Sequence, residues 1–93
     1  MSLTYVVAVE LRPEVGAVGV AVPDLPGCFS SGDTVGNALA NAAEVVLAHL
    51  SEMVERGESV PTPSSQAELE GHPEYVGWQW ATLTVPDPAA TRA

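Results

Sequence analysis

The sequence has no lysine and only three arginines, whereas aspartate and glutamate together number 12, so the formal net charge is −9 over 93 residues. Nucleic-acid binding takes most of its affinity from cations that displace phosphate counterions, and this composition therefore argues against direct binding to DNA or RNA. The negative charge favours a basic protein partner instead, although it is also an ordinary means of keeping a small protein dissolved.

Cysteine and long hydrophobic runs are also scarce. Cys28 is the single cysteine, so the chain cannot form an internal disulfide. No apolar run approaches the roughly 18 to 20 residues that cross a bilayer, and the N-terminus lacks the basic flank and apolar core of a signal peptide. These absences predict a cytoplasmic protein without a membrane segment.

The length and composition predict one folded unit. A chain of 93 residues has room for a single core, and 46% of its residues are hydrophobic while 16% are charged. Proline residues at 86 and 88 end the last regular pattern. We therefore predict one domain over residues 1–86 and a flexible tail over residues 87–93.

Four segments have the alternation or β-branched composition of strands, and turn residues separate the first three from one another. The strands are predicted at 3–11, 17–23, 28–30 and 77–85. In the third segment, we expect both Cys28 and Phe29 to pack inward.

A long helix is predicted between the third and fourth strands. Apolar residues recur at steps of three and four from Val35 onward, Asp33 or Thr34 can cap the start, and Gly57 follows the last helical residue, Arg56. Ser65 begins an S-x-x-E capping box that predicts a further short helix. The fold class is therefore α+β, in the order β-β-β-α-β, with an antiparallel-rich four-stranded sheet and one long helix packed on it.

Carboxylates are the first candidates for catalytic chemistry. Glu10, Asp24 and Asp33 fall on or beside the predicted sheet and could hold a divalent cation in a metal-dependent nuclease. No spacing signature joins them, and Asp24 between two prolines also suits a turn, just as Asp33 suits a helix cap. We predict no metal, no cofactor and no catalytic activity, and keep the nuclease as the alternative.

The remaining reactive side chains give no established motif. Cys28 would need a nearby base to act as a nucleophile, and nothing in the sequence fixes its distance to His49 or His72. A buried, inert thiol is the commoner state of a lone cysteine. Trp78 and Trp80 share one strand face without cations around them, which favours a core or subunit contact over base stacking.

One block of the sequence is similar to a known family. The string VPDLPGCFSSGDT at 22–34, the helix sequence NALANAAEVVLAHL at 37–50 and VPTPSS at 60–65 resemble the HicB antitoxins, and the likeness extends loosely to WQWATLTV. The resemblance implies a degenerate ribonuclease-H-like domain without the catalytic carboxylates. It also implies a partner, the small basic messenger-RNA interferase HicA, which the domain binds and neutralises.

The second hypothesis is that the chain is an orphan member of this family, a structural or oligomerising protein that has no toxin partner. Many relatives continue into a DNA-binding segment, which we do not expect here. The predicted partner-binding residues lie in and after the VPDLPGCF loop. We also predict that the chain self-associates into a homodimer or higher oligomer. The partner-binding candidates are Asp24, Leu25, Ser31 and Asp33, and the self-association candidates are Trp78 and Trp80.

Overall fold

The structure is a computed structural model that describes residues 2–89. Four antiparallel strands form one sheet in the order β3-β2-β1-β4, and one long helix packs on it. This arrangement confirms the α+β prediction and the predicted order of the main elements. The elements are β1 (Ser2–Arg12), β2 (Ala17–Ala21), β3 (Phe29–Gly32), α1 (Val35–Glu55), α2 (Gln66–Glu70) and β4 (Gln79–Pro86), with single 3-10 turns at Pro13–Val15 and Pro73–Tyr75.

The core lies between α1 and one face of the sheet. Alternate residues of β1, including Tyr5, Val7 and Val9, point towards the helix and are at most 2% exposed. Their partners follow from the strand register, which pairs Val9 with Val20 of β2 and Tyr5 with Leu83 of β4. The period-two pattern of the sequence therefore identified the buried face of each long strand.

Helix α1 begins where the sequence placed a cap. The Thr34 hydroxyl accepts a hydrogen bond from the Asn37 amide, at 3.1 Å, so Thr34 and not Asp33 is the N-cap. Four residues at steps of four face the sheet and are buried: Ala38, Ala42, Val46 and Leu50. Small residues at the first two of these positions allow the helix to approach β3 closely.

The segment between α1 and α2 is attached to the sheet by two polar contacts. The Tyr5 hydroxyl donates to the Pro61 carbonyl at 2.7 Å, and the Asp24 carboxylate accepts from both the amide and the hydroxyl of Ser64, at 2.8 and 2.6 Å. The predicted capping box of α2 is present. Its two hydrogen bonds from Ser65 lower the pKa of the Glu68 carboxyl.

Two details of the third strand were wrong in the sequence prediction. The Cys28 amide bonds to the Leu25 carbonyl at 3.0 Å within the loop, so the strand begins one residue later, at Phe29. Cys28 is buried as predicted, but Phe29 is 66% exposed because neighbouring residues of a strand point to opposite faces. Phe29 therefore lies on the sheet face away from α1, which we call the outer face.

Residues 90–93 of the predicted tail lie outside the described residues, so the domain boundary at residue 86 stays a prediction. Among residues 2–89, no helix has the length and hydropathy needed to cross a bilayer.

Candidate functional site

The three carboxylates of the nuclease hypothesis have separate local roles. Glu10 on the outer face of β1 forms an ion pair with Arg12, at 2.6 Å. Asp24 holds Ser64 through two hydrogen bonds. Asp33 lies between β3 and α1 and is exposed. Glu10 and Asp24 are therefore engaged by other residues, whereas Asp33 is in none of the ion pairs within residues 2–89.

The strand register shows how far apart two of them are. Asp33 follows Gly32, which pairs with Val18 near the start of β2, whereas Asp24 comes two residues after Val22, just past the end of β2. Four residues of extended chain span roughly 13 Å, which is too far for two carboxylates to share one cation. Within residues 2–89, no group of three histidine, cysteine, aspartate or glutamate side chains has the geometry of a metal site.

A groove at the tip of the β1–β2 hairpin is the candidate surface for a protein contact. Its volume is about 290 Å³. Pro13 starts the 3-10 turn and Gly16 ends it with a φ of 64°, a left-handed conformation that favours glycine. We call it the hairpin groove, and it is lined by Leu11, Arg12, Pro13, Gly16, Ala17, Val18 and Asp33.

Exposed apolar side chains lie in and beside the hairpin groove. Leu11 lines it and is 48% exposed, although its strand face is the core face, because the hairpin extends beyond the end of the helix-covered sheet. Val15, in the turn between two lining residues, is 68% exposed. Sequence analysis treated residues 13–16 only as a turn and missed this surface, because alternation alone does not show where the helix stops covering a strand.

The electrostatics of the groove are dominated by carboxylates. Its one lining cation, Arg12, is already paired with Glu10. Asp33 in the lining and Glu14 in the turn are exposed and have no cationic partner among residues 2–89. The groove therefore combines apolar contact area with uncompensated negative charge, a combination suited to a basic protein surface.

The other predicted partner residues are placed differently. Leu25 is 1% exposed and belongs to the core cluster, so its side chain is not available at the surface and we do not retain it as a partner contact. Ser31 is exposed on β3, and its carbonyl accepts from the side-chain amide of Asn41 at 2.9 Å. Of the four candidates, the structure brings only Asp33 to the hairpin groove.

The Cys28 thiol is held away from solvent. Cys28 is 3% exposed, and burial raises the pKa of its thiol, which lowers its reactivity. The His72 ring lies beside the Tyr75 ring, with 6.4 Å between the two ring centroids. A buried thiol with a raised pKa fits the inert role predicted for it.

Three aromatic rings pack together on the outer face. The Tyr75 ring lies edge-on to Trp78 and Trp80, with centroids 5.3 and 5.8 Å apart. Burial and the nearby Glu74 charge raise the pKa of the Tyr75 hydroxyl. Trp80 is opposite Ala8 of β1, so this cluster lies on the outer face beside that strand pair.

Comparison with known families matches residues 5–92 to the HicB-like antitoxin of bacterial toxin–antitoxin systems. Among solved structures, the N-terminal domain of the Burkholderia pseudomallei antitoxin HicB is similar, with 36% identity and a TM-score of 0.73; the match covers 87% of this chain and 95% of that domain. A chain of a HicA3 and HicB3 toxin–antitoxin complex has a TM-score of 0.73 over 89% of this chain and 98% of that one, and its 21% identity shows a shared fold alone.

A phage protein is also similar. The uncharacterised 14.9 kDa protein from the rep-hol intergenic region of Haemophilus phage HP1 is 43% identical over 56 residues, which are 60% of this chain. The match spans only 42% of the length of that phage protein.

Proposed function

Because the chain belongs to the HicB-like antitoxin family, we propose that it binds and neutralises a small basic toxin of the HicA type. The observation that carries the proposal is the hairpin groove, where Asp33 and the neighbouring Glu14 lack cationic partners beside exposed Leu11 and Val15. Apolar contact supplies affinity at such a surface, while the carboxylates steer a cationic partner and fix its orientation.

Neutralisation in this proposal is steric. An antitoxin that covers the active surface of a messenger-RNA interferase needs no catalytic group of its own. The similar solved structures include a chain of a HicA3 and HicB3 toxin–antitoxin complex, so a protein of this fold assembles with a toxin there. The nuclease alternative has less support, since Glu10 is paired with Arg12 and Asp24 with Ser64.

The test is the affinity for a basic protein encoded by an adjacent reading frame, measured by calorimetry. The double variant E14Q/D33N removes both uncompensated charges at the hairpin. We expect it to bind about tenfold more weakly, equivalent to about 1.4 kcal/mol, and to lose much of the salt dependence of binding.

The matched control is E44Q/E74Q, which removes two other exposed carboxylates without cationic partners and gives the same net charge. Its affinity should stay near that of the unmodified protein. Equal weakening by both double variants would show that the overall charge and not the groove determines binding. Absence of binding by the unmodified protein would favour the orphan hypothesis.

A further inference from the structure

The ion pair between Glu10 and Arg12 uses one oxygen of the carboxylate. Arg12 donates from both Nε and Nη2, each at 2.6 Å, and both bonds end on Oε1 of Glu10. No hydrogen bond or ion pair of residues 2–89 involves the other oxygen, Oε2. Because the Glu10 side chain is 31% exposed and lines two cavities, a ligand can reach this carboxylate from solvent.

The strand register leaves open space beside Glu10 on the outer face. Glu10 pairs with Gly19 of β2, and Gly19 pairs with Ser31 of β3. Gly19 has no side chain, and a Cβ built there would lie 3.9 to 4.0 Å from the nearest Glu10 atoms, at ordinary contact distance. This gap is part of a cavity of about 230 Å³, which we call the outer-face pocket.

Two aromatic side chains line the outer-face pocket together with Glu10. Phe29 of β3 is 66% exposed, and Trp78, which precedes β4, is half-buried. Tyr75 packs edge-on against the Trp78 ring, at 5.3 Å between centroids, which limits the movement of the indole. Aromatic rings attract cations through their quadrupole, and a carboxylate oxygen accepts charge-assisted hydrogen bonds from them. The pocket therefore has the chemistry of a receptor for a planar cation.

Arg12 shows that the Glu10 carboxylate accepts a guanidinium group, and Oε2 can accept from a second one. We propose that the outer-face pocket binds the guanidinium group of an arginine side chain, which donates to Oε2 between the rings of Trp78 and Phe29. Arginine fits this site better than lysine, because its planar head is weakly hydrated and stacks on aromatic rings. Arg12 also lines the adjoining hairpin groove, so the occupant is an arginine of the basic toxin, an assignment that rests on the proposed function.

Binding of an arginine side chain is tested without a toxin. N-acetyl-arginine methylamide, whose only charge is the guanidinium, is titrated into the protein while the indole N–H signal of Trp78 is followed by NMR. The signal should shift and saturate, and N-acetyl-lysine methylamide should produce a smaller shift at the same concentrations. E10Q removes the anionic acceptor and should abolish the saturation. E44Q, which removes an exposed carboxylate of α1 and gives the same net charge, should not.

Replacement of Arg12 gives a prediction of opposite sign. R12Q releases Oε1, so that the arginine probe can bond to both carboxylate oxygens, and we expect it to bind at least about threefold more tightly. The matched control is R56Q, which removes an arginine at the end of α1 and gives the same net charge, and it should bind like the unmodified protein. Equal shifts by the two probes, saturation that persists in E10Q, or no gain in R12Q would each overturn the proposal.

The assignment of the arginine to the toxin is tested by calorimetry with the basic partner protein. E10Q should bind it about tenfold more weakly, and E44Q should bind it like the unmodified protein. If E14Q/D33N weakens toxin binding and E10Q does not, the proposed function stands and the assignment of the outer-face pocket to the toxin is overturned. If the toxin does not bind at all, the proposed function fails, and the probe titration alone decides whether the pocket binds arginine.

Discussion

Asp24 illustrates how one residue of a recognisable block can make a contact that its local sequence does not reveal. Its place between two prolines in VPDLPG suggested a surface loop and a role in partner or metal binding. In the structure, both carboxylate oxygens accept hydrogen bonds from Ser64, which lies 40 residues later in the chain. The sequence could not reveal this contact, because nothing local to either residue encodes a pairing over that distance. Asp24 is better explained as an anchor for the segment after α1.

Tyr5 provides a second anchor, and its ionisation gives a pH dependence. Burial, assisted by the charges of Asp24 and Asp87, raises the pKa of the Tyr5 hydroxyl above its ordinary value of about 10. A raised pKa in the folded state means that the unfolded state loses its proton first as pH rises. The contribution of Tyr5 is therefore complete below pH 10 and is lost as pH rises above it.

We predict that Y5F lowers the free energy of unfolding at neutral pH by about 1 kcal/mol, because the Pro61 carbonyl loses its donor. The variant should also show a shallower fall in stability above pH 10, with part of the slope retained through Tyr75. Urea unfolding between pH 7 and pH 11 measures both effects. Parallel pH profiles for the two proteins would contradict the role assigned to Tyr5.

At the scale of the elements, local patterns predicted most of the fold. Alternation located β1 and β4, helical spacing together with Thr34 and Gly57 located α1, and the S-x-x-E box located α2. The third strand was displaced, because hydrogen bonds within the preceding loop decide where its ladder starts. The hairpin groove was not predicted, since its exposure depends on where α1 ends over the sheet and not on any local signal.

β3 and α1 approach each other closely at Gly32. An added methyl group would be 2.6 Å from the Ala38 nitrogen and 2.9 Å from the Asn37 carbonyl carbon, and both are backbone atoms. We predict that G32A destabilises the protein by about 1 to 3 kcal/mol, the range typical of overpacking. Thermal unfolding monitored by circular dichroism measures the change.

G36A is the matched control for that substitution. Gly36 lies in the first turn of α1, and its added methyl would have only the Thr34 hydroxyl nearby, at 3.9 Å. We expect this variant to be more stable by about 0.4 to 1 kcal/mol, because alanine restricts the unfolded chain. Similar destabilisation by both substitutions would show that loss of glycine flexibility, and not the β3–α1 contact, causes the effect.

At the scale of the whole molecule, the composition predicts the net charge, but it does not predict how the charged side chains are distributed over the surface. Arg12 and Arg56 are each engaged by neighbouring glutamates. Among residues 2–89, exposed carboxylates outside the ion pairs include Glu14 in the hairpin, Glu44 in the helix and Glu74 in the 3-10 turn before β4, while residues 79–86 of β4 are uncharged. The β4 edge therefore differs in charge from the surfaces that carry carboxylates.

The most direct test of the antitoxin account is RNA cleavage by a purified basic partner toxin, measured while this protein is titrated into the reaction. Cleavage should fall in proportion to the added protein and stop at one binding equivalent, and E14Q/D33N should require a larger excess. This protein without the toxin should leave the RNA intact. Undiminished cleavage at saturating protein, or RNA degradation by this protein alone, would contradict the account.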